Sequence, residues 1–288
     1  MSKSLPMDLH LLMSDSTATS QNPWSLSGKT AVVTGGSRGI GRGIAIHLVR
    51  KGLSNLAITY VANKAAAEET LERCRSLGVQ RAIMIQADMT DHSVGPKVIN
   101  EALAGLETQT IDILVNNAIL GNTDKPRNVA ETTPEDFAEM MHANVYSPVS
   151  LTIAMLPHVP ARGGRVINIS SVAGRVGNRD PLITYGASKA ALESFTRSLA
   201  DQYSTSKGMT FNSVTVGATN TDALQAAKNW AAFPSDFLDQ AAKDSTVGRI
   251  GEPEDIGYIV GFLASEEGRW VNGAAVSAHG GIRAILGN

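Results

Sequence analysis

Thr34-Gly35-Gly36-Ser37-Arg38-Gly39-Ile40-Gly41 is the stretch whose reading decides the fold. The apolar run Thr30–Thr34 leads into it and predicts a strand. Gly39–Lys51 follows, with Ile40, Ile44 and Leu48 recurring at four-residue spacing, which predicts a helix with one buried face. A strand that turns through glycines into a helix lets the backbone approach a ligand closely. The N–H groups at the helix start then face an anion such as a pyrophosphate. Many glycine-rich turns are only tight turns, so the weight of this one comes from what surrounds it.

From Lys29 onward, short apolar runs alternate with longer helical patterns. Further strands are predicted at Asn55–Tyr60, Ala82–Gln86, Ile111–Asn116, Arg165–Ser170, Thr210–Val216 and Ala274–Ser277. Helices are predicted at Lys64–Leu77, from Pro134 through His142 and onward, at Tyr185–Tyr203 and at Pro253–Ala264. Strands that read as continuous apolar runs are buried on both faces, as in a parallel sheet covered by helices. The alternation implies an α/β architecture: a single-domain Rossmann fold, doubly wound, with a parallel sheet of about seven strands and right-handed crossovers. Ligands in such sheets bind beyond the carboxyl ends of the strands.

Of 288 residues, 43% are hydrophobic and 18% charged, enough to bury one large core. A net charge of −2 and a pI near 6.3 leave no basic field for nucleic acid or an anionic membrane. No run of 18 apolar residues exists, so no membrane span is expected. The single cysteine, Cys74, excludes an intrachain disulfide framework and fits a cytoplasmic setting. Met1–Leu26 holds short polar runs and reads as a flexible N-terminal extension, with one catalytic domain over residues 27–288. The six histidines show no metal-ligand spacing, so no metal is expected, and His47 and His158 read as structural. The sequon Asn168-Ile169-Ser170 falls in a predicted buried strand and is discounted.

Tyr185-Gly186-Ala187-Ser188-Lys189 places a phenol and an ammonium four residues apart on one helix face. Free tyrosine titrates near about 10, too high for efficient proton exchange at neutral pH, and a neighbouring cation favours the phenolate. Such pairs are common on ordinary helices. Here Ile169-Ser170-Ser171-Val172-Ala173-Gly174 precedes the pair at the end of a predicted strand.

Together these motifs resemble the short-chain dehydrogenase/reductase family, and within it most nearly the 3-oxoacyl-carrier-protein reductase branch. The resemblance covers roughly Leu26 to Ala284. It implies NADP(H) as cofactor, with Gly35, Ser37, Arg38, Gly39, Ile40 and Gly41 on the pyrophosphate and ribose. It implies Asp88 and Met89 at the adenine ring, Asn117 and Ala118 after the fourth strand, and Thr219 and Thr221 at the nicotinamide carboxamide. Tyr185 would donate a proton to the substrate carbonyl as hydride arrives. Lys189 would tune Tyr185 and hold the nicotinamide ribose, and Ser171 would orient and polarise the carbonyl. Asn144 would hold a water linking Lys189 to solvent, or stabilise a helix bend, or both. The second strand ends Tyr60-Val61-Ala62-Asn63-Lys64 without a carboxylate. That absence, with Arg38 nearby and Tyr60, Asn63 and Lys64 at the same end, favours NADP over NAD.

Three departures stand out. Ile119 replaces a glycine of the family's Asn-Asn-Ala-Gly. Val216-Gly217-Ala218-Thr219 lacks two prolines usual there, which predicts a looser backbone. His279 stands where relatives commonly carry aspartate. The Ser171-to-Tyr185 interval is one residue longer than in near relatives, which predicts a bulged Arg175–Thr184 loop beside the substrate.

Leu224, Trp230, Phe233 and Phe237 lie among alanines in residues 222–246 and predict a helical lid with an apolar inner face. The same aromatics could instead dock the lid on the core or on a neighbouring subunit. The expected activity is reduction of a carbonyl on a hydrophobic small molecule, or the reverse. The alternative is a non-redox NADP-binding protein such as an isomerase, cyclase or regulatory scaffold. The resemblance further implies a homotetramer or homodimer.

Overall fold

Each of the seven apolar runs forms a strand in this computed structural model, which describes residues 22–121, 128–227 and 235–286. β1 (Thr30–Val33) leads to α1 (Gly39–Arg50), β2 (Asn55–Tyr60) to α2 (Lys64–Ser76), and β3 (Arg81–Gln86) to α3 (Val94–Gly105). β4 (Ile113–Asn116) is followed by α4 (Pro134–Met141), a π-helical turn at His142–Tyr146, and α5 (Ser147–Met155). β5 (Gly164–Ser171) leads to the long α6 (Ile183–Lys207). β6 (Met209–Val216) precedes α7 (Asp222–Ala227), α8 (Phe237–Asp244) and α9 (Pro253–Ala264), and β7 (Ala275–Ala278) ends the sheet.

All pairings are parallel, in the order β3-β2-β1-β4-β5-β6-β7. The order reverses between β1 and β4, which opens a crevice at their carboxyl ends. Alternate residues of β1 supply two cores. Ala31 and Val33 pack with Ile44 and Leu48 of α1 and Ile256, Val260 and Leu263 of α9. Val32 packs with Val98, Ile99 and Ala102 of α3 and Leu151 and Met155 of α5. Each valine, leucine, isoleucine or methionine so removed from water contributes about 1.5–3 kcal/mol.

Three local features differ from the sequence reading. No helix was expected between β3 and β4, yet α3 forms there. Its Pro96 sits in the first turn, where an N–H has no intrahelical partner to lose. Trp24 and Leu26, placed in the flexible extension by sequence, pack on the fold. Leu26 is buried, its N–H bonds the Lys51 carbonyl at 2.8 Å, and Lys51 Nζ sits 4.1 Å from the Trp24 ring centre. Residues 1–21 of that extension lie outside the described residues. The segment after β6 is not loose despite its missing prolines. Gly251 N donates to the Ala218 carbonyl and Asn220 N to the Gly251 carbonyl, both at 2.8 Å, and Thr219 Oγ1 bonds the Gly217 carbonyl at 3.0 Å. Asn168 of the sequon is buried in β5, bonded to Asn116 and Thr196 at 2.8 Å each.

Candidate active site

The glycine loop forms one wall of the crevice. Gly35 N donates to Thr59 Oγ1 at 2.9 Å and Gly36 N to the Thr59 carbonyl at 3.0 Å, tying the loop to β2. On the β4 side, Thr34 Oγ1 accepts from Asn117 N and Ala118 N, both at 2.9 Å, while Asn117 Nδ2 donates to the Thr34 carbonyl at 2.8 Å. Arg42 braces the outside, donating to the Ser37 carbonyl, Thr70 Oγ1 and Glu69. Gly41 admits no larger residue, because a Cβ there would lie 2.2 Å from the Gly35 carbonyl oxygen. α1 starts with no side-chain cap and no acidic residue in its first turn, which leaves its first N–H groups for an anion. This cradle fits the pyrophosphate of a dinucleotide.

The loop opens onto a cleft of about 1100 Å³ that gathers most of the expected site residues. Gly35, Ser37, Arg38, Gly39, Ile40 and Gly41 line it, with Tyr60 and Asn63 from the end of β2. Asn117, Ala118, Ser171, Tyr185, Lys189, Thr219 and Thr221 line it as well. Asn63 also caps α2, its Oδ1 accepting from Ala66 N at 2.9 Å. Arg38 is exposed on the wall and, among the described residues, pairs with no carboxylate. Lys64, Asp88, Met89 and Asn144 lie off the wall. Lys64 is exposed on α2, Met89 is buried, and Asp88 Oδ1 accepts from Thr90 N and Oγ1 at 2.9 Å each. Ala87 is the wall residue at the end of β3.

At the reaction centre, Ser171 ends β5, in register with Val216 of β6. Its Oγ accepts from Ala173 N at 3.2 Å, and its hydroxyl is near enough to the Tyr185 phenol to favour the phenolate. Tyr185 sits in the first turn of α6, half-buried against the cleft. Gly186 follows because a Cβ there would lie 2.2 Å from Asn178 Nδ2 and 2.5 Å from the Ala173 carbonyl oxygen. Lys189, one turn on, is 2% exposed; its Nζ donates to the Ile169 carbonyl at 2.8 Å and lies 5.6 Å from the Tyr185 ring centre. Burial pushes the Tyr185 phenol up to about 12, opposed by the Ser171 hydroxyl. Burial pushes the Lys189 ammonium down to about 7, opposed by the charge of Glu193. The sequence reading expected the lysine cation to lower the phenol. The ammonium instead bonds the Ile169 carbonyl, and desolvation dominates both groups. Tyr185 therefore holds its proton at neutral pH, the state a general acid must start from.

Asn144 lies in the π-helical turn between α4 and α5 and is 1% exposed. Its Oδ1 accepts from Leu120 N at 2.8 Å, and its Nδ2 donates to the Leu120 carbonyl at 3.1 Å and to Ser188 Oγ at 3.3 Å. It thus couples the loop after β4 to the residue beside Lys189. π-turns recur at functional sites, where the extra residue redirects a side chain.

The remaining walls are largely apolar. Val172, Val176, Pro181 and Leu182 come from the segment between Ser171 and Tyr185, and Ile119 from the loop after β4. Leu224 of α7 and Phe237 and Ala241 of α8 face them. Trp230 and Phe233 fall outside the described residues. Sequence reasoning missed Ile282 and Ala284, which also line the cleft. Their segment is fastened to the residues that follow α8 by Ser245 Oγ to the Gly280 carbonyl at 2.8 Å and Thr246 N to the Gly281 carbonyl at 3.0 Å. Thr34, Thr59 and Arg42 were missed too; ordinary strand and helix residues by type, they carry no local signal. His279 Nδ1 accepts from Ile282 N at 2.9 Å and so holds the start of the C-terminal segment.

Comparison with known proteins agrees with this geometry. Residues 35–283 match the family model described as enoyl-(acyl carrier protein) reductase. The short chain dehydrogenase penD of Penicillium thymicola is 57% identical over 272 residues, covering 94% of this chain and 98% of that protein. The hydroxynaphthalene reductase arp2 of Aspergillus fumigatus is 38% identical over 256 residues, covering 86% and 90%. A short chain dehydrogenase from Burkholderia cenocepacia, solved in complex with NADP, superposes with a TM-score of 0.79 at 32% identity, covering 90% of this chain and 99% of that one. A family model matched over residues 35–283, with relatives aligned over nearly the whole chain, leaves one assignment: the chain belongs to the short-chain dehydrogenase/reductase family of oxidoreductases.

Proposed function

We propose that the cleft binds NADP(H) and that the chain reduces a ketone or aldehyde of an apolar small molecule to the alcohol, or runs the reverse. The carrying observation is the Ser171–Tyr185–Lys189 arrangement at the open end of β5, facing both the glycine cradle and the apolar walls. A bound nicotinamide supplies or accepts the hydride. The chain's residues do the rest. Ser171 orients the carbonyl oxygen toward the Tyr185 hydroxyl, and Tyr185 gives that oxygen its proton. Lys189 then faces the phenolate as its nearest cation, and the apolar walls exclude water while the charges separate.

The NADP-bound Burkholderia relative supports the cofactor assignment, as does the absence of an acid at the end of β2 beside Arg38, which pairs with no carboxylate among the described residues. The reductase relative supports the carbonyl chemistry. Assembly as a dimer or tetramer is supported by exposed apolar residues on neighbouring helices. Phe137, Tyr146, Ile153 and Phe195 are 43–54% exposed, and Tyr146 and Phe195 line a groove of about 570 Å³. No helix among the described residues is long and apolar enough to cross a membrane; the single cysteine supports a cytoplasmic placement.

The test is NADPH consumption with a panel of ketones, quinones and acyl thioesters, with the product identified. An apolar ketone is expected to yield its alcohol as NADPH disappears. Conversion of a substrate without net NADPH consumption would favour an isomerase or cyclase instead.

A further inference from the structure

We propose that Glu193 is a positioning residue of the reaction centre: it serves as the buried counter-charge of Lys189 and clamps the end of β5 to α6. This rests on the reading of Tyr185 and Lys189 as the reacting groups. Three consecutive residues of β5 contact three successive turns of one helix face. The Ile169 carbonyl accepts from Lys189, Ser170 bonds Glu193, and the Ser171 hydroxyl lies beside the Tyr185 phenol. Tyr185, Lys189 and Glu193 stand at i, i+4 and i+8 of α6, so they lie in one row. The Ser170–Glu193 contact is the anchor of this row.

Glu193 is 5% exposed, a burial that carboxylates reach only when fully partnered. Ser170 Oγ and Thr215 Oγ1 donate to its Oε1 at 2.8 and 3.0 Å, and these two residues are register partners across β5 and β6. Arg175, from the loop that follows Ser171, donates its Nε to Oε2 at 3.1 Å. One carboxylate therefore joins two strands, the helix of the reacting groups and the loop beside the substrate. The charged groups around it are Lys189 on its own helix and Arg175 from the loop. Tyr185 lies two turns back, and His279 after β7 feels Arg175 and is held below its usual range mainly by burial. Glu193 opposes the burial that would otherwise discharge Lys189. Arg175 competes for the same carboxylate.

The competition gives the two substitutions opposite signs. Glu193→Gln keeps the shape and an acceptor oxygen but removes the charge, so Lys189 loses its proton at lower pH. In the full chain with NADPH and an accepted ketone, the ratio of kcat/KM at about pH 6.5 to that at about pH 8.5 is expected to rise about threefold. Arg175→Met leaves Glu193 to Lys189 alone, and the same ratio is expected to fall about threefold. A role confined to holding the fold would lower Tm in both variants without moving the ratios apart. Ratios equal to wild type overturn the proposal, and Arg175→Met alone decides it if Glu193→Gln does not fold. Tyr185→Phe run in parallel separates the two failures. Wild-type turnover there removes the reaction centre itself, whereas a dead Tyr185→Phe with unmoved ratios removes only the role of Glu193.

Discussion

At the scale of single residues, the chemistry depends on where burial is opposed and where it is not. Tyr185 keeps its proton because desolvation outweighs the Ser171 hydroxyl, and Lys189 sits near neutrality because desolvation outweighs Glu193. Tyr185→Phe removes the proton donor and leaves the cradle untouched. Turnover is expected to fall by about two to four orders of magnitude while NADPH affinity, read by titration, stays within about twofold. Near-normal turnover would show that the proton comes from elsewhere. In the proposed reading, Arg38 sets the preference between NADPH and NADH. It faces the cleft without a carboxylate partner among the described residues, and a charge-assisted bond to a phosphate contributes about 1.5–3 kcal/mol. Arg38→Ala is therefore expected to weaken NADPH by about ten- to hundredfold and NADH far less. Equal losses for both cofactors would mean that Arg38 is only a surface charge. That Ser171, Tyr185, Lys189 and the loop glycines share one cleft follows the sequence reading, because each is marked by residue type at a strand end or helix start. Glu193 was not legible there. A glutamate on a long helix reads as a solvated face, and only the register of Ser170 with Thr215 shows that it is buried.

At the scale of elements, strands and their helices were legible because continuous apolar runs and four-residue spacing each report one kind of burial. α3 was missed because Gly95 and Pro96 disguise its first turn, and the π-turn at His142–Tyr146 leaves no trace in an otherwise helical pattern. The helical character of the segment after β6 was legible from its pattern, but its attachment was not. Phe237, Ala241 and Asp244 of α8 line the cleft at i, i+4 and i+7, and the residues that follow α8 are tied to Gly280 and Gly281 near the C-terminus. Phe237→Ala removes apolar surface from the wall of the cleft formed by α8. It is expected to raise KM for an apolar ketone by about tenfold with NADPH affinity nearly unchanged. A collapse of NADPH affinity with KM preserved would place Phe237 in the cofactor half.

For the whole molecule, one reversal of strand order accounts for the location of everything above. β1 and β4 diverge at the switch point and set the glycine cradle beside Asn117 and Ala118. β5 then brings Ser171 to the same edge of the sheet. This layout was readable from the alternation of strands and helices. The closure of the cleft by Ile282 and Ala284 was not, because their segment's contact with the residues that follow α8 spans about forty residues and no local pattern encodes it. The central claim is that this cleft moves hydride from NADPH to a carbonyl carbon while Tyr185 protonates the oxygen. The most direct measurement is the deuterium content of the alcohol formed by the full chain from an accepted ketone and NADPH deuterated at the transferring carbon of the nicotinamide. One deuterium on the carbinol carbon for each NADPH consumed is the predicted result. A product that forms without deuterium, or without loss of NADPH, would contradict it.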